Sequence, residues 1–292
     1  MIDLALPKGS LEEQTMRLFK EADLEVRRGK REYNPKIEDP RIGKVKILRP
    51  QEIPKYVEAG YFDIGISGMD WIVESGADVV EVAKLPYSKM TEKTVKIIAA
   101  VPEDSDIRKI EDLKEKGRSR ITTEYPNITK NFFEGVGIPT DIFFSYGASE
   151  AKVPEIMDVV VDLVETGTTL GKNKLKIIGT LMESYTTLLA NKESWKDEEK
   201  RREIEKIKTL LLGVIDARGR VLITMNIPKD KLSSIVEFLP AMKKPTVSEL
   251  YGTDYYAVQT VVSKDEINTL IPKLKRYGAE DILELAISKI IR

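Results

Sequence analysis

Residues 158–170 read Asp158-Val159-Val160-Val161-Asp162-Leu163-Val164-Glu165-Thr166-Gly167-Thr168-Thr169-Leu170. The β-branched run predicts a buried strand. It ends in a carboxylate and then breaks into a turn of threonine and glycine. Gly167 can adopt backbone angles closed to other residues, so that successive N–H groups converge as an anion nest. Thr166, Thr168 and Thr169 add hydroxyl donors, and apolar Leu170 opens a helix whose N-terminal dipole favours the same anion. The stretch reads as a seat for a phosphate ester with Asp162 at its rim. A plain strand followed by a polar turn has the same short signature.

Working outward, Val95–Val101, Arg120–Thr123 and Ile142–Ser145 predict strands separated by helices that carry Ile110 and Leu113, then Ile128, Phe132 and Phe133. Lys176–Leu181 predicts a strand leading back toward an earlier unit. In that unit the strand Ile2–Leu6 stops at Pro7-Lys8-Gly9, and Ser10 reads as the cap of a helix with Leu11, Leu18, Phe19 and Ala22 on one face. Lys8 at this turn can reach an anionic ligand or stand as a solvated loop lysine. Val45–Leu48 closes on Arg49-Pro50. Asp63-Ile64-Gly65-Ile66-Ser67-Gly68-Met69-Asp70 runs from a strand through small residues into a helix bearing Asp70 and Trp71. Strand ends of this kind are where open α/β sheets seat ligands, and the alternation predicts a mainly parallel sheet.

The expected fold class is therefore α/β, with a discontinuous first domain (1–93 and 182–212), a second (94–181) carrying the phosphate turn, and a cleft between them. A third domain is expected over 213–292. Glu193–Leu212 predicts a charged helix, and Val214–Asp216 and Val221–Ile223 flank Ala217-Arg218-Gly219-Arg220 as a hairpin. Helices around Ile235 and Leu270, a strand over Tyr255–Val262, and an end segment Ile282–Ile291 that fits strand or helix suggest a ferredoxin-like domain. No motif carrying chemistry sits there, which suits regulation or assembly.

The 292 residues are 41% hydrophobic and 33% charged with a net charge of −1. No basic stripe calls for nucleic acid; Arg27-Arg28-Gly29-Lys30-Arg31 reads as a solvated loop. The absence of cysteine and histidine removes disulfides, thiolate nucleophiles, Ser-His triads and H-E-x-x-H zinc sites. Catalysis falls to carboxylates, lysine, arginine, hydroxyls, backbone dipoles or a hard metal ion. Neither a G-x-G-x-x-G nor a Walker loop occurs. The first residues read as a strand rather than a signal peptide, and no apolar run has transmembrane length, so a cytoplasmic, non-membrane protein is expected.

Four stretches together resemble the ATP phosphoribosyltransferase family of histidine biosynthesis in its long form. They are Leu6-Pro7-Lys8-Gly9; Arg49 through Ile53-Pro54 to Asp63–Asp70; Thr123-Glu124-Tyr125-Pro126-Asn127; and Asp162-Leu163-Val164 with Thr166–Leu170. Met225–Pro228, Pro245-Thr246-Val247 and Gly278–Leu283 resemble that form's effector domain. Two departures stand out: Ser10 replaces the family's usual arginine, and the Glu150-to-Asp162 segment is one residue shorter and lacks a glycine. The resemblance implies a type II periplasmic-binding-protein-like catalytic part with a ferredoxin-like (ACT-like) C-terminal domain. It implies Mg2+ dependence, ATP and phosphoribosyl pyrophosphate as substrates, histidine and AMP as inhibitors, and dimers and hexamers. It assigns catalysis to Lys8, Arg49 and Asp162. Substrate contacts fall to Gly9, Asp70, Glu124, Tyr125, Glu150, Glu165, Thr166, Gly167, Thr168, Thr169 and Leu170, and effector contacts to Asn226, Met242, Thr246 and Asp281. A non-catalytic two-lobed binding protein, and phosphoribosyl transfer to another base, are the competing expectations.

Overall fold

The computed structural model describes residues 1–29, 33–86, 95–165 and 168–292, without the side chains of Thr168 and Thr169. It divides into two compact units, Met1–Lys208 and Thr209–Arg292. The first begins with β1 (Ile2–Pro7), α1 (Glu12–Glu21), β2 (Val26–Arg27), β3 (Lys36–Ile37), β4 (Ile42–Leu48), α2 (Ile53–Glu58), β5 (Ile64–Gly68), α3 (Met69–Ser75) and β6 (Val80–Lys84). A second series follows: β7 (Val95–Pro102), α4 (Leu113–Lys116), β8 (Ser119–Thr123), α5 (Pro126–Gly135), β9 (Thr140–Phe144), β10 (Val159–Val164), α6 (Thr168–Lys172) and β11 (Leu175–Ser184). The chain then returns through β12 (Thr186–Ala190) to α7 (Lys192–Lys196) and α8 (Glu198–Ala217).

Each series builds a five-stranded sheet, ordered β4-β1-β5-β12-β6 and β11-β7-β10-β8-β9. The sheets are mainly parallel, but one strand in each runs against its neighbours. These are β12, antiparallel to β5 and β6, and β7, antiparallel to β10 and β11. Both reversed strands are the first laid down after the chain crosses from one sheet to the other, so no helical crossover dictates their direction. The result is the expected two-lobed, periplasmic-binding-protein-like plan. Strand β10 explains its unbroken valine run: Val159 and Val161 pack into one core cluster and Val160 into another, as in a sheet covered on both faces.

Ser10 does not cap α1. Gly9–Leu11 forms a turn of 3-10 helix, and the Glu12 carboxylate accepts the Gly9 N–H at 3.2 Å instead. The expected hairpin at Val214–Ile223 is also absent. Helix α8 continues to Ala217 because Ile204, Ile207, Leu211, Val214 and Ala217, all buried, repeat at three- and four-residue intervals. Gly219, at φ 67°, then makes the turn.

The second unit adds β13 (Arg220–Pro228), α9 (Leu232–Phe238), β14 (Thr246–Glu249), β15 (Tyr255–Ser263), α10 (Ile267–Arg276) and β16 (Glu280–Ala286). Its sheet order, β14-β15-β13-β16, is that of a ferredoxin-like fold. Val221, Ile223, Met225 and Ile227 form the buried side of β13, clustered with Ile235, Leu270 and Leu274 from the helices. Among the described residues no helix is long and apolar enough to cross a membrane.

Candidate active site

Strand register places the polar residues of the first unit. Pro7 pairs with Leu48, and the Lys8 N–H donates to the Leu48 carbonyl at 2.7 Å. Lys8 and Arg49 therefore leave two neighbouring strand ends side by side. In the other sheet Val161 pairs with Thr123 and Thr123 with Phe144. The next residues on those three parallel strands are Asp162, Glu124 and Ser145. Both sets lie at carboxyl ends of strands, the position at which open α/β sheets bind ligands. A cavity of about 520 Å³ is lined by Lys8, Arg49 and Lys84 from one lobe and by Glu124, Asp162 and Glu165 from the other. Its two walls thus carry opposite charge.

On the cationic wall the Lys8 ammonium donates to the Tyr33 hydroxyl at 2.7 Å and lies 4.4 Å from the ring centroid. That bond, followed by the fields of Lys8 and Arg49, draws the Tyr33 phenol below its ordinary range. Between the walls sits Asp70, 3% exposed. Its carboxylate accepts the Ser184 hydroxyl at 2.5 Å and the Tyr125 hydroxyl at 3.1 Å. Burial raises the Asp70 carboxyl despite these bonds, and burial with Asp70 alongside raises the Tyr125 phenol. Tyr125 also stacks on Trp71, with ring centroids 4.5 Å apart. One turn further along α3, the Glu74 carboxylate accepts the N–H groups of Asn127 and Ile128 at 3.0 and 2.9 Å. A side chain of one lobe thereby satisfies the open N-terminus of a helix in the other.

On the acidic wall Asp162 is pushed up to about 6, first by burial and then by Glu124 and Glu150. The Leu163 amide, donating at 2.7 Å, and the Ser149 hydroxyl oppose that rise.

Of the residues singled out from the sequence, Lys8, Gly9, Arg49, Asp70, Glu124, Tyr125, Asp162 and Glu165 line the one cavity. Glu150 acts on Asp162 through its charge. The Leu170 side chain is 5% exposed and belongs to a core cluster with Ile98, Ala100, Val160 and Leu175. Thr166 and Gly167, the centre of the expected phosphate turn, lie outside the described residues; Thr168 and Thr169 open α6. In the second unit the Asn226 side chain donates to Asp281 at 2.8 Å. The β13–β16 register slips by one residue there and Asp281 takes a positive φ of 47°, a bulge that re-aims its side chain. Thr246 is exposed on β14 and pairs with Gln259, while Met242 is exposed in the loop after α9. Sequence reading missed Lys84 and Tyr185, which line the cavity with the ammonium 4.3 Å over the ring. Their one signal was their place at the crossing from β6 and into β12.

The family model described as ATP phosphoribosyltransferase, HisG, matches residues 49–213, and that described as HisG, C-terminal domain, matches residues 217–289. An ATP phosphoribosyltransferase of Pelotomaculum thermopropionicum is 46% identical over 99% of this chain and 98% of its own length. One from Desulforudis audaxviator is 44% identical over the same shares. A solved ATP phosphoribosyl transferase (HisG:HisZ) complex from Thermotoga maritima superposes with a TM-score of 0.61 at 28% identity, over 73% of this chain and 97% of that one. Fold, cavity and matches define a pentosyltransferase with an appended ferredoxin-like domain. The chain belongs to the ATP phosphoribosyltransferase family, whose reaction is the first step of histidine biosynthesis.

Proposed function

We propose that the cavity binds ATP and phosphoribosyl pyrophosphate together and transfers the phosphoribosyl group to adenine N1, releasing pyrophosphate. The observation that carries this reading is the division of charge across the cavity, with Lys8 and Arg49 on one rung of strand ends and Glu124 and Asp162 on the other. The bond from C1′ to pyrophosphate oxygen breaks as the bond to N1 forms, and N6 then loses a proton. Positive charge develops on the ribose and negative charge on the leaving group. Ionised Asp162 and Glu124 favour the first, and Lys8 and Arg49 favour the second. Because adenine N1 is itself the nucleophile, a chain without histidine lacks nothing this step requires. The stretch 166–169 is the proposed seat of the 5′-phosphate.

Mg2+ belongs to the proposal as an ion carried by the polyphosphates. Among the described residues no group of three or more metal-ligating side chains is gathered. One or two carboxylates plus substrate phosphates are how such an ion is usually held, and Glu124 and Asp162 offer hard oxygen donors. When bound, it neutralises charge on the departing pyrophosphate. In the second unit we place a histidine site on the sheet beside the Asn226–Asp281 pair, with Thr246 and Met242 at its margin. We also place AMP, as an inhibitor, in the ATP subsite, and expect a dimer-to-hexamer assembly. Both substrates are metabolites of the cytoplasm, where the protein is proposed to work.

Purified protein given ATP, phosphoribosyl pyrophosphate and Mg2+ is expected to release pyrophosphate. Lys8→Met is expected to lower kcat by about 10²–10³. Folded protein that binds both substrates without turnover would make this a binding protein instead.

A further inference from the structure

The carboxylate between the two walls is bonded to protein from three directions. Asp70, in the first turn of α3, is 3% exposed, and the residues that bond its side chain, Ser184 and Tyr125, are 0% and 4% exposed. They come from different parts of the first unit. Helix α3 belongs to the first lobe and Tyr125 precedes α5 of the second, while Ser184 ends β11, where the chain crosses from the second sheet back into β12. We propose that Asp70 is a positioning residue, the centre of a lock that holds the two walls of the cavity at the separation the reaction needs. The inference rests on the proposed function for the identity of the two ligands. It moves Asp70 from contacting substrate to placing the groups that do.

The lock is fully connected. The Ser184 hydroxyl accepts the Asp70 N–H at 3.0 Å and donates to Asp70 Oδ1 at 2.5 Å. The Tyr125 hydroxyl donates to Oδ2 at 3.1 Å. One oxygen is therefore tied to the crossing strand and the other to the second lobe, and burial leaves little of the group to meet a ligand. Tyr125 is itself fixed: its N–H donates to the Thr123 hydroxyl at 2.9 Å, and its carbonyl accepts the Thr129 hydroxyl at 2.7 Å. On the opposite side the Met69 N–H donates to the Tyr185 carbonyl at 2.9 Å, and Gly68 pairs with Thr186. Gly68 also makes the room. Its backbone is ordinary, at φ −77° and ψ 147°, but a Cβ there would overlap Asp70 Oδ1.

The three bonds reach both walls. Tyr125 follows Glu124, and Asp162 lies on the neighbouring strand of the same sheet. Helix α3 continues from β5, which pairs with β1, and β1 with β4, the strands that end at Lys8 and Arg49. Rotation of one lobe against the other must stretch the Tyr125–Asp70 bond and slide Tyr125 off Trp71. Loosening the lock deletes no group that holds substrate. It lowers the fraction of molecules whose walls are correctly spaced, which weakens both substrates by one common factor.

The chain has no cysteine, so nitroxides on Lys20→Cys in α1 and Glu134→Cys in α5, both exposed positions, mark one lobe each. Double electron–electron resonance then reads the distance between lobes in ligand-free protein diluted with unlabelled chain. The kcat and the KM values for ATP and phosphoribosyl pyrophosphate are measured alongside. Tyr125→Phe, Ser184→Ala and Asp70→Ala are each expected to broaden the distance distribution. Each should raise both KM values about tenfold, with kcat falling less than KM rises. Asp70→Asn, which keeps the shape and an acceptor for Tyr125, should restore most of both readings, and Gly68→Ala should reproduce Asp70→Ala. Folded variants whose distances stay as narrow as wild type would overturn the proposal. So would a loss confined to one substrate and as deep in Asp70→Asn as in Asp70→Ala, which would return Asp70 to substrate contact. Distances that broaden as expected in a protein whose wild type shows no turnover would uphold the lock and sink the proposed function instead.

Discussion

Asp162 concentrates the conflict between stability and function in one side chain. Its carboxyl titrates near 6 in the folded protein, against 3.8 for an unperturbed aspartate. Between those values the folded state binds the proton more tightly than the unfolded chain does. Stability therefore falls as pH rises through this window and stays lowered above it. Asp162→Asn removes the charge and keeps the shape. At pH 7 it is expected to raise the unfolding free energy by up to about 3 kcal/mol, and to leave stability at pH 4 nearly unchanged, as read by urea titration at both pH values. The same substitution should lower kcat by at least about 10². A stabilised but inactive variant is the signature of a charge kept for chemistry; a destabilised one would mean that Asp162 is held for structural reasons.

At the scale of elements, the contact between α3 and α5 joins the two lobes of the first unit. Tyr125 stacks on Trp71, and Glu74 closes the N-terminus of α5 through two backbone N–H groups and a third bond, from the Asn127 side chain to the Glu74 carbonyl. A helix cap of this kind is worth about 1–2 kcal/mol. Glu74→Ala is expected to lower the urea-unfolding free energy by that amount, and Glu74→Gln, which keeps one acceptor, by less. An unchanged midpoint for Glu74→Ala would mean that other contacts hold the lobes at their present angle. The strand ends that carry Lys8 and Arg49, and Glu124 and Asp162, were foreseeable from apolar runs that stop at polar residues. Ser10 was misread as a cap because the sequence does not reveal that Glu12 already satisfies the Gly9 N–H. The supposed hairpin before β13 failed for a related reason: Val214 and Ile215 are β-branched, but their spacing from Ile207 and Leu211 is helical, and burial of that stripe outweighs propensity.

For the whole molecule, the proposed sites of catalysis and of its control lie in separate compact units. If histidine binds at the sheet of the second unit, Thr246→Trp should block it sterically. Inhibition of pyrophosphate release by histidine is then expected to disappear, with release in the absence of histidine unchanged. A thermal-shift measurement gives a second reading, since a ligand bound only to the folded state raises Tm and should do so for wild type alone. Inhibition that survives Thr246→Trp would move the effector site off this sheet.

The sequence by itself determined what each segment could become. The triple valine of 159–161 required cover on both faces, the absence of cysteine and histidine narrowed the chemistry, and four short stretches carried the family resemblance. These signals are local, because burial and backbone preference act over a few residues. Only the tertiary structure decided which strand ends meet. Asp162 lies beside Glu124, and Glu124 beside Ser145, because β10, β8 and β9 pair in that order and register. Lys152 meets Ser145, and Ser149 meets Ser145, only because the turn at 147–148 folds the two serines together. Register between distant strands is set by packing of the whole sheet, and no run of neighbouring residues encodes it.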